Sequence, residues 1–494
     1  MVKADIRSPE LNQTLRVAIG PASFLTLLQK EILDLVLSIR FLVLLMLCAL
    51  LIPLSLYVNS QTYERWLADY NEQLKIESTL RSSRSGWSGT RPPSPLAVFA
   101  NGVETSLPKG FSIQPNQIQM DKPRSYGDPI YEIFGRIDFL FVVQAVLSLI
   151  AFLFAFDSIS GEKEMGTLRL CLANAVPRYK ILLGKFAGGM LILVVPFLIA
   201  TGIGLIVLTA TGYPLFDHNL WTKVLLMVVA SIVYISTFYV LGMVISSLTH
   251  QSKTTLIVLM LIWVVFVLAV PRLSIIVAGM IRPVESDAVI ALRKKLLVEH
   301  IQQEKGRALK DLYFAKARQK GLAEGALTFD ANDPEFVRRR NEIAKPFEAR
   351  MRDELAKIDE DHQRKKQRQL HLARNIARIS PASVFAYVMT DMADTGETVK
   401  VRFFDAVRRH YARMDRLVFS RMYQDLITDE GHSWGFGGTL PGEEPPEKPP
   451  RFAFRFPEIS ESLAHSLPDV ALLVIYALLF FIVAHVAFIG YDVR

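Results

Sequence analysis

Six long apolar runs constrain the fold of this chain more than any other feature of its sequence. A helix needs about 20 apolar residues to cross the ~30 Å hydrocarbon layer of a bilayer. The fourth and fifth runs are separated only by "THQSK", and because His250 and Lys253 would be costly in mid-bilayer, two spans are expected there rather than one long helix. The predicted spans are residues 41–58, 137–156, 186–211, 221–248, 254–278 and 467–489. The expected fold class is therefore an all-α polytopic membrane protein with six transmembrane helices.

The composition agrees with a membrane protein that carries a sizeable polar part, since 51% of the residues are hydrophobic and 21% are charged. The formal charge of +8 indicates basic loops facing the cytoplasm and anionic headgroups of the lipid bilayer, and no nucleic acid partner is expected. Two cysteines, Cys48 and Cys171, suggest neither a disulfide framework nor a metal cluster. The first twenty residues are polar, so no signal peptide is expected and the first span would be an uncleaved anchor.

The Lys and Arg residues near the span ends predict the orientation. Placing these residues inside gives both termini cytoplasmic, a cytoplasmic loop at 157–185 and a cytoplasmic tail at 490–494. Residues 59–136 and 281–466 are then extracytoplasmic. The protein as a whole is expected in the cell (inner) membrane. The longer segment contains the basic clusters "RRR" (338–340) and "RKKQR" (364–368). Long loops translocate largely regardless of charge, so the parity of the spans decides its side.

The tail at 1–40 ends in an amphipathic segment, residues 24–40, with its leucines and isoleucine on one helical face. Lys30, Glu31 and Asp34 lie towards the other face, and Arg40 closes the segment. Such a helix lies in the headgroup plane. The alternative is that it merely extends the first span.

The large outer segment is predicted to be mainly helical, with an antiparallel hairpin formed by helices at 289–320 and 334–378. A further helix is predicted at 397–427, followed by a Gly/Pro-rich linker. The basic clusters of the hairpin either hold an anionic ligand or lipid headgroups, or are solvated helix faces. The first outer segment, 59–136, is punctuated by Pro and Gly and has short strand-like pieces.

Catalytic motifs are missing from the sequence. There is no G-x-x-x-x-G-K-[ST] phosphate loop, no H-E-x-x-H and no G-x-S-x-G. The chain is therefore expected not to be an enzyme and to bind no nucleotide, metal or other cofactor itself.

The loop at 157–185 is dense in charge and contains a corner at Gly166. Thr167 is expected to cap a short helix, 168–174, whose apolar side includes Leu168. Such a helix suits insertion into a groove on a cytoplasmic partner, and it could equally lie flat on the membrane. Where the third span begins, small residues allow close helix packing within the chain or in a dimer; they are Gly184, Gly188 and Gly189.

The segment "EKEMGTLRLCLANAVPRYKILLGK" resembles the E-K-E-x-G-T-L…P-x-x-R-x-x-x-x-x-G-K segment of type-2 ABC exporter permeases, although Pro177 and Arg178 are adjacent here. "SSLTHQSKTTLIVLMLIW", "RPPSPLAVFANGVE" and the terminal "YDVR" are also similar to that group, in particular to its branch with a large insert between the fifth and sixth spans.

The resemblance implies a permease that binds a separate ABC ATPase subunit, which binds the ATP, and that pairs with a second permease as a homo- or heterodimer. The cytoplasmic loop would be the coupling element. Its residues by resemblance are Glu162, Lys163, Glu164, Gly166, Thr167, Leu168 and Arg169. No residue is implied as a substrate site.

Three functions are compatible with this sequence. The first is a permease exporting an amphiphilic, lipid-like or peptide substrate. The second is ATPase-coupled mechanotransmission to the extracytoplasmic domain or an envelope partner, without substrate translocation. The third is an interaction scaffold without an energy source.

Overall fold

The computed structural model describes residues 24–80, 87–114, 117–123, 137–168, 177–214, 218–319, 334–414 and 451–490. Within these ranges, six helices are long and apolar enough to cross a membrane, which confirms the six-span helical fold class. From the first to the sixth span they are Ile39–Glu77, Phe139–Glu164, Arg178–Ala210, Asn219–Leu248, Ser252–Ile281 and Ile459–Ile489.

The helix of the first span is longer than the apolar run that predicted it, since it continues to Leu80. Neither Gly nor Pro occurs between residues 59 and 80, so nothing in the sequence stops the helix after the apolar part ends. The extension is held at its base by Tyr63, whose ring contacts that of Tyr213 at a centroid distance of 5.2 Å. The helix of the third span likewise begins ahead of its apolar run, at Arg178, directly after Pro177.

The N-terminal helix, Phe24–Val36, is a separate element and does not extend the first span. A turn at Leu37 and Ser38 separates the two helices, and the Ser38 hydroxyl donates a hydrogen bond to the Leu35 carbonyl. The helix packs on the third span. Glu31, expected on the polar face, instead lies on the side that packs against the third span. Gly188 leaves room for its side chain there, and Lys185 donates a hydrogen bond to its carboxylate.

The fourth span lies at the centre of the bundle. Its Tyr234, Phe238 and Tyr239 are fully buried or nearly so. Tyr234 stacks on Phe385 with ring centroids 4.3 Å apart, and Phe238 contacts Phe152 of the second span. The fifth span is the most peripheral of the six. In its apolar 18-residue stretch 11% is buried, compared with 61% in the corresponding stretch of the fourth span.

The second and fifth spans each contain a π-helical stretch, at Val142–Leu147 and Val264–Ala269. The two spans are joined there by a hydrogen bond from the Trp263 indole to the Ser148 hydroxyl, 2.9 Å long. A π-helical turn opens the backbone ladder and presents groups that an α-helix would keep paired.

A short helix, Pro381–Met392, enters the bundle beside these π-helical stretches. Ser380 caps its N-terminus by accepting hydrogen bonds from Ala382 and Ser383, and Pro381 occupies the first helical position. The Ser380 hydroxyl also donates to the Phe266 carbonyl of the fifth span, and Gln144 of the second span donates to the Ala382 carbonyl. We call this element the re-entrant helix; the sequence did not predict it.

The two hairpin helices are Asp287–Gln319 and Pro334–Ala377. They are antiparallel, because Lys305 pairs with Glu348 while Lys294, eleven residues earlier, pairs with Asp359, eleven residues later. The second hairpin helix then descends beside the sixth span, whose Tyr476 hydroxyl donates to the Arg378 carbonyl.

Buried ion pairs join this descent to the membrane helices. Asp469 of the sixth span is fully buried and accepts from Arg374 at 2.6 Å and from Arg378 at 2.7 Å. Arg374 also pairs with Asp391 at the end of the re-entrant helix, at 2.9 Å. Together they fix the re-entrant helix against the sixth span.

A small second core lies beyond this end of the bundle. Strands β1 (Trp87–Thr90), β2 (Gly110–Gln114) and β3 (Gln117–Met120) form an antiparallel sheet in that order. The outer helix, Glu397–Met414, packs on the sheet through Phe403, which contacts Phe111. The strand-like pieces predicted in the first outer segment correspond to this sheet. The predicted continuation of the outer helix past Met414 lies outside the described residues.

Candidate functional site

The connection that leaves the second span, residues 157–168, is hydrogen-bonded to several neighbouring helix ends. Ser246, near the end of the fourth span, accepts hydrogen bonds from the backbone N–H groups of Ile159 and Ser160, at 3.1 and 2.9 Å. Its own hydroxyl donates to the Phe156 carbonyl at 3.0 Å. One buried serine thus holds both sides of the turn by which the chain leaves the span.

Two neighbouring residues of this connection bind both ends of the short turn between the fourth and fifth spans, residues 249–251. The Lys163 ammonium donates to the carbonyls of Ser247 and Thr249, where the fourth span ends. The Glu164 carboxylate accepts from the backbone N–H of Ser252, at 3.1 Å, where the fifth span begins. A cation at a helix C-terminus and an anion at a helix N-terminus both satisfy unpaired backbone groups and oppose the helix dipole.

A buried lysine connects the same segment to the third span and to the N-terminal helix. Lys185 is 3% exposed and donates to Glu162 at 2.8 Å and to Glu31 at 2.9 Å. A buried ammonium requires opposite charges and hydrogen bonds to offset its desolvation. With two carboxylates around one ammonium, the three elements hold each other in place.

Arg40 makes a further bond between the N-terminal region and the end of the second span. Its guanidinium donates to Asp157 at 2.7 Å and lies over the Phe156 ring at 4.7 Å. Of the polar residues of the predicted amphipathic segment, Arg40 lies in the helix of the first span and contacts the connection directly, and Glu31 reaches it through Lys185. Lys30 is exposed.

The exposed corner of the connection is formed by Met165 and Gly166. Gly166 has φ of 73°, the left-handed conformation for which glycine is suited. An added Cβ would meet nothing within 4 Å there, so the backbone conformation alone requires glycine. Met165 is 72% exposed and presents its side chain outward.

The residues after the corner depart from the expected arrangement. Leu168 is fully buried in the main core, so it does not present an apolar side to a partner. The Thr167 hydroxyl donates to the Glu162 carbonyl at 3.4 Å. Arg169 and the predicted short helix, 168–174, lie outside the described residues except for Leu168.

The glycines of the third span pack within this chain. A Cβ on Gly188 would lie 2.9 Å from the Glu31 Cβ, and one on Gly189 would lie 2.0 Å from the Tyr239 hydroxyl. Gly184 is also buried. Gly188 thus admits the N-terminal helix and Gly189 admits the fourth span.

The chain was compared with models of known protein families. The model of the ABC-2 family transporter proteins matches residues 25–493, nearly the whole chain. The chain belongs to the ABC-2 transporter family. All six spans and the connection described above lie inside the matched region of this transporter.

Two curated relatives match a short part of the transporter. The probable ABC transporter permease protein NosY of Stutzerimonas stutzeri is 51% identical over 57 residues, which is 12% of this chain and 21% of that protein. The protein of the same name from Pseudomonas aeruginosa is 49% identical over 57 residues, with the same shares. The match thus spans about a fifth of each relative.

Sequence reasoning found the connection but missed much of what holds it. The sequence pattern singles out neither Lys185 nor Ser246. Their partners lie far away in sequence: Lys185 and Glu31 are 154 positions apart, and Ser246 and Ser160 are 86 positions apart. One sequence signal could have indicated that Lys185 is buried: it directly precedes the apolar run that starts at Phe186.

Across the described residues, no group of three or more His, Cys, Asp or Glu side chains could hold a metal ion.

Proposed function

We propose that this transporter is the permease subunit of an ABC exporter and that residues 157–168 form its coupling connection to a separate ATPase subunit. One observation carries the proposal: this connection is bonded to four spans, the first through Asp157, the third through Glu162, the fourth through Lys163 and the fifth through Glu164. The N-terminal helix is tied to it indirectly, because its Glu31 shares Lys185 with Glu162. A displacement applied at its exposed corner would move all of these elements together.

The ATP is bound by the partner, since the chain has no phosphate loop of its own. The working unit contains two permeases, and the second permease packs on the exposed apolar face of the fifth span, which carries Ile257 and Leu261 at 70% and 64% exposure. Residues 157–185 face the cytoplasm, the membrane is the inner membrane of the cell, and the substrate is an amphiphilic, lipid-like or peptide molecule exported from it. The name of the curated relatives, the resemblance of the loop and the apolar spans support this assignment.

The test is to separate ATP hydrolysis from transport by changing only the exposed corner. Gly166→Val forces a β-branched residue into a positive φ, at a cost of about 1–3 kcal/mol that the corner can relieve only by moving. Met165→Asp places a carboxylate on the side chain that projects outward. Both variants should reach the membrane at near-normal level, co-purify poorly with the ATPase, and fail to alter its turnover. Leu168→Asp is not suitable, because a charge in the core would prevent folding.

Each variant has a matched control. Gly166→Asn keeps a residue that tolerates positive φ, so it should retain ATPase binding. Val401→Asp introduces the same carboxylate at an exposed apolar side chain of the outer helix and should also leave ATPase binding unchanged. Full ATPase binding and stimulation by both Gly166→Val and Met165→Asp would refute the coupling role.

A further inference from the structure

The π-helical stretches of the second and fifth spans both contact the N-terminal end of the re-entrant helix. The Gln144 amide of the second span donates to the Ala382 carbonyl at 3.1 Å, and the Ser380 hydroxyl donates to the Phe266 carbonyl of the fifth span. Ser380 and Ala382 are two positions apart, so both spans depart from α-helical geometry around one point of the fold. Single π-helical turns are rare, and they frequently lie at functional sites.

Side chains from outside the second-span stretch bind its backbone. The Gln144 carbonyl accepts from the Tyr234 hydroxyl of the fourth span at 2.8 Å and from the Ser148 hydroxyl one turn further on. Tyr234 and Ser148 are both fully buried. A buried carbonyl needs such partners where the regular hydrogen bonding of a helix is interrupted. The π-helical form of this stretch therefore depends on donors that lie outside it.

The hydrogen bonds around the two stretches form a closed ring. The Ser148 hydroxyl accepts from the Trp263 indole, directly before the fifth-span stretch, at 2.9 Å. Phe266, within that stretch, accepts from Ser380, which itself accepts from the backbone N–H of Ala382 at 3.1 Å. The Ala382 carbonyl leads back to the second span through the amide bond described above. We call this set of contacts the hydrogen-bond ring. Breaking one of its bonds leaves a buried polar group unpaired, so its members stabilise each other.

On the other side of the hydrogen-bond ring from the re-entrant helix, the second and fifth spans are joined a second time. The Glu164 carboxylate accepts from the backbone N–H of Ser252 at 3.1 Å. Residues 148–164 and 252–263, which we call the paired segments, are thus tied together at both ends. Helices bend sharply at π-helical turns. A bend at the two stretches would therefore move the paired segments as one body.

The paired segments are bonded to the fourth span where the connection begins. Ser246 of the fourth span accepts from the backbone N–H groups of Ile159 and Ser160, and Lys163 donates to the Thr249 carbonyl at the end of that span. A movement of the paired segments away from the fourth span would open these bonds. The exchange of the two N–H groups with solvent then reports the movement.

One buried group of the re-entrant helix favours a second position of this helix. The Ser383 hydroxyl is buried and has no hydrogen-bond partner within the ranges that the structure describes. An unsatisfied buried hydroxyl raises the free energy of the arrangement that contains it. A shift of the re-entrant helix that gives Ser383 a protein or water partner would recover this free energy.

We propose that the re-entrant helix is a lock on the second and fifth spans. While the hydrogen-bond ring is closed, both spans keep one bend angle. When the re-entrant helix withdraws, the paired segments swing as one body and residues 159–163 separate from the fourth span. Because such coupling is reciprocal, a displacement of the connection also releases the re-entrant helix. The lock lies within this chain, so it stands or fails independently of whether an ATPase binds the connection.

The test measures amide hydrogen exchange of the purified full-length protein in detergent, by mass spectrometry of peptides that cover residues 157–168. Ser380→Ala removes the hydroxyl that closes the hydrogen-bond ring and should speed exchange in these peptides about threefold or more, because the N–H groups of Ile159 and Ser160 leave Ser246 more often. Trp263→Phe breaks the ring at its other side, keeps an aromatic side chain and should have the same effect. Ser380→Thr keeps the hydroxyl and should exchange as the wild type does.

Each variant has a matched control. Ser383→Ala removes a buried hydroxyl from the same helix without breaking the ring, and Trp221→Phe changes a tryptophan that is 47% exposed on the fourth span. Neither should speed exchange in residues 157–168. Unchanged exchange there in both Ser380→Ala and Trp263→Phe would overturn the proposal, even if exchange rose in the re-entrant helix itself. An equal rise in the outer helix, Glu397–Met414, would show general destabilisation and would overturn it as well.

Discussion

Buried charges in this protein are held by opposite charges on distant elements. Lys223 of the fourth span is 4% exposed and pairs with Asp394, 5% exposed, at 2.6 Å. Asp394 also accepts from the Ser462 hydroxyl at 3.0 Å. Burial raises the pKa of Asp394, and the Lys223 ammonium opposes this increase. Removing one partner of such a pair costs more than the pair contributes, because a charge is then left buried without compensation.

Asp394→Asn should therefore lower the free energy of unfolding by about 3–5 kcal/mol. Asp394 has φ of 54°, which asparagine also tolerates, so the loss would report the charge and not the backbone. The apparent unfolding temperature of the detergent-solubilised protein is the measurement.

The matched double variant is Lys223→Met with Asp394→Asn, which removes both charges and should recover most of the loss. Asp405→Asn, at an exposed pair with Arg408, should change stability by less than about 0.5 kcal/mol. An Asp394→Asn protein as stable as the wild type would show that water already reaches Lys223.

The elements differ in how well the sequence predicted them. The first hairpin helix begins, and the second ends, within about two residues of the prediction, because their helical periodicity extends over many turns. The re-entrant helix has 12 residues, too few for a span, and its apolar residues show no polar face that would distinguish a buried helix from a strand. The hydrogen bonds of Lys163 and Lys185 join residues of different helices, which only tertiary packing brings together. The hydrophobic periodicity of each helix carries no information about such contacts.

The small residues of the third span give a prediction at the scale of helix packing. Gly188→Leu should displace the N-terminal helix, because even the Cβ would lie 2.9 Å from that of Glu31. The yield of monodisperse protein in size-exclusion chromatography should fall severalfold.

Gly202→Leu is the matched control on the same helix, since an added Cβ there meets nothing within 4 Å. It should leave the yield near that of the wild type. Equal yields from both variants would mean that the N-terminal helix accommodates the larger side chain by shifting.

At the scale of the whole molecule, the hairpin and the connection at 157–168 lie at opposite ends of the six spans. The fifth span begins at Ser252, bonded to Glu164, and ends at Ile281, beside the hairpin. Whichever side of the membrane one of them occupies, the other occupies the opposite side.

The proposed orientation can be tested with two engineered cysteines in a Cys171→Ser background, where the remaining Cys48 is buried. Lys345→Cys on the hairpin should react with an impermeant thiol reagent in intact cells. Met165→Cys should react only after permeabilisation. The opposite labelling pattern would place the hairpin in the cytoplasm and remove residues 157–168 from the reach of a cytoplasmic ATPase.

The ion pairs of Asp469 also determine when this protein can be completed. A ribosome makes the re-entrant helix and the arginines before it well ahead of the sixth span, which lies at 459–489. Until that last helix emerges and enters the bilayer, Arg374 and Arg378 lack the carboxylate that they share in the finished molecule. The final insertion event therefore closes the end of the bundle next to the hairpin, and nascent chains truncated before Asp469 would leave it open.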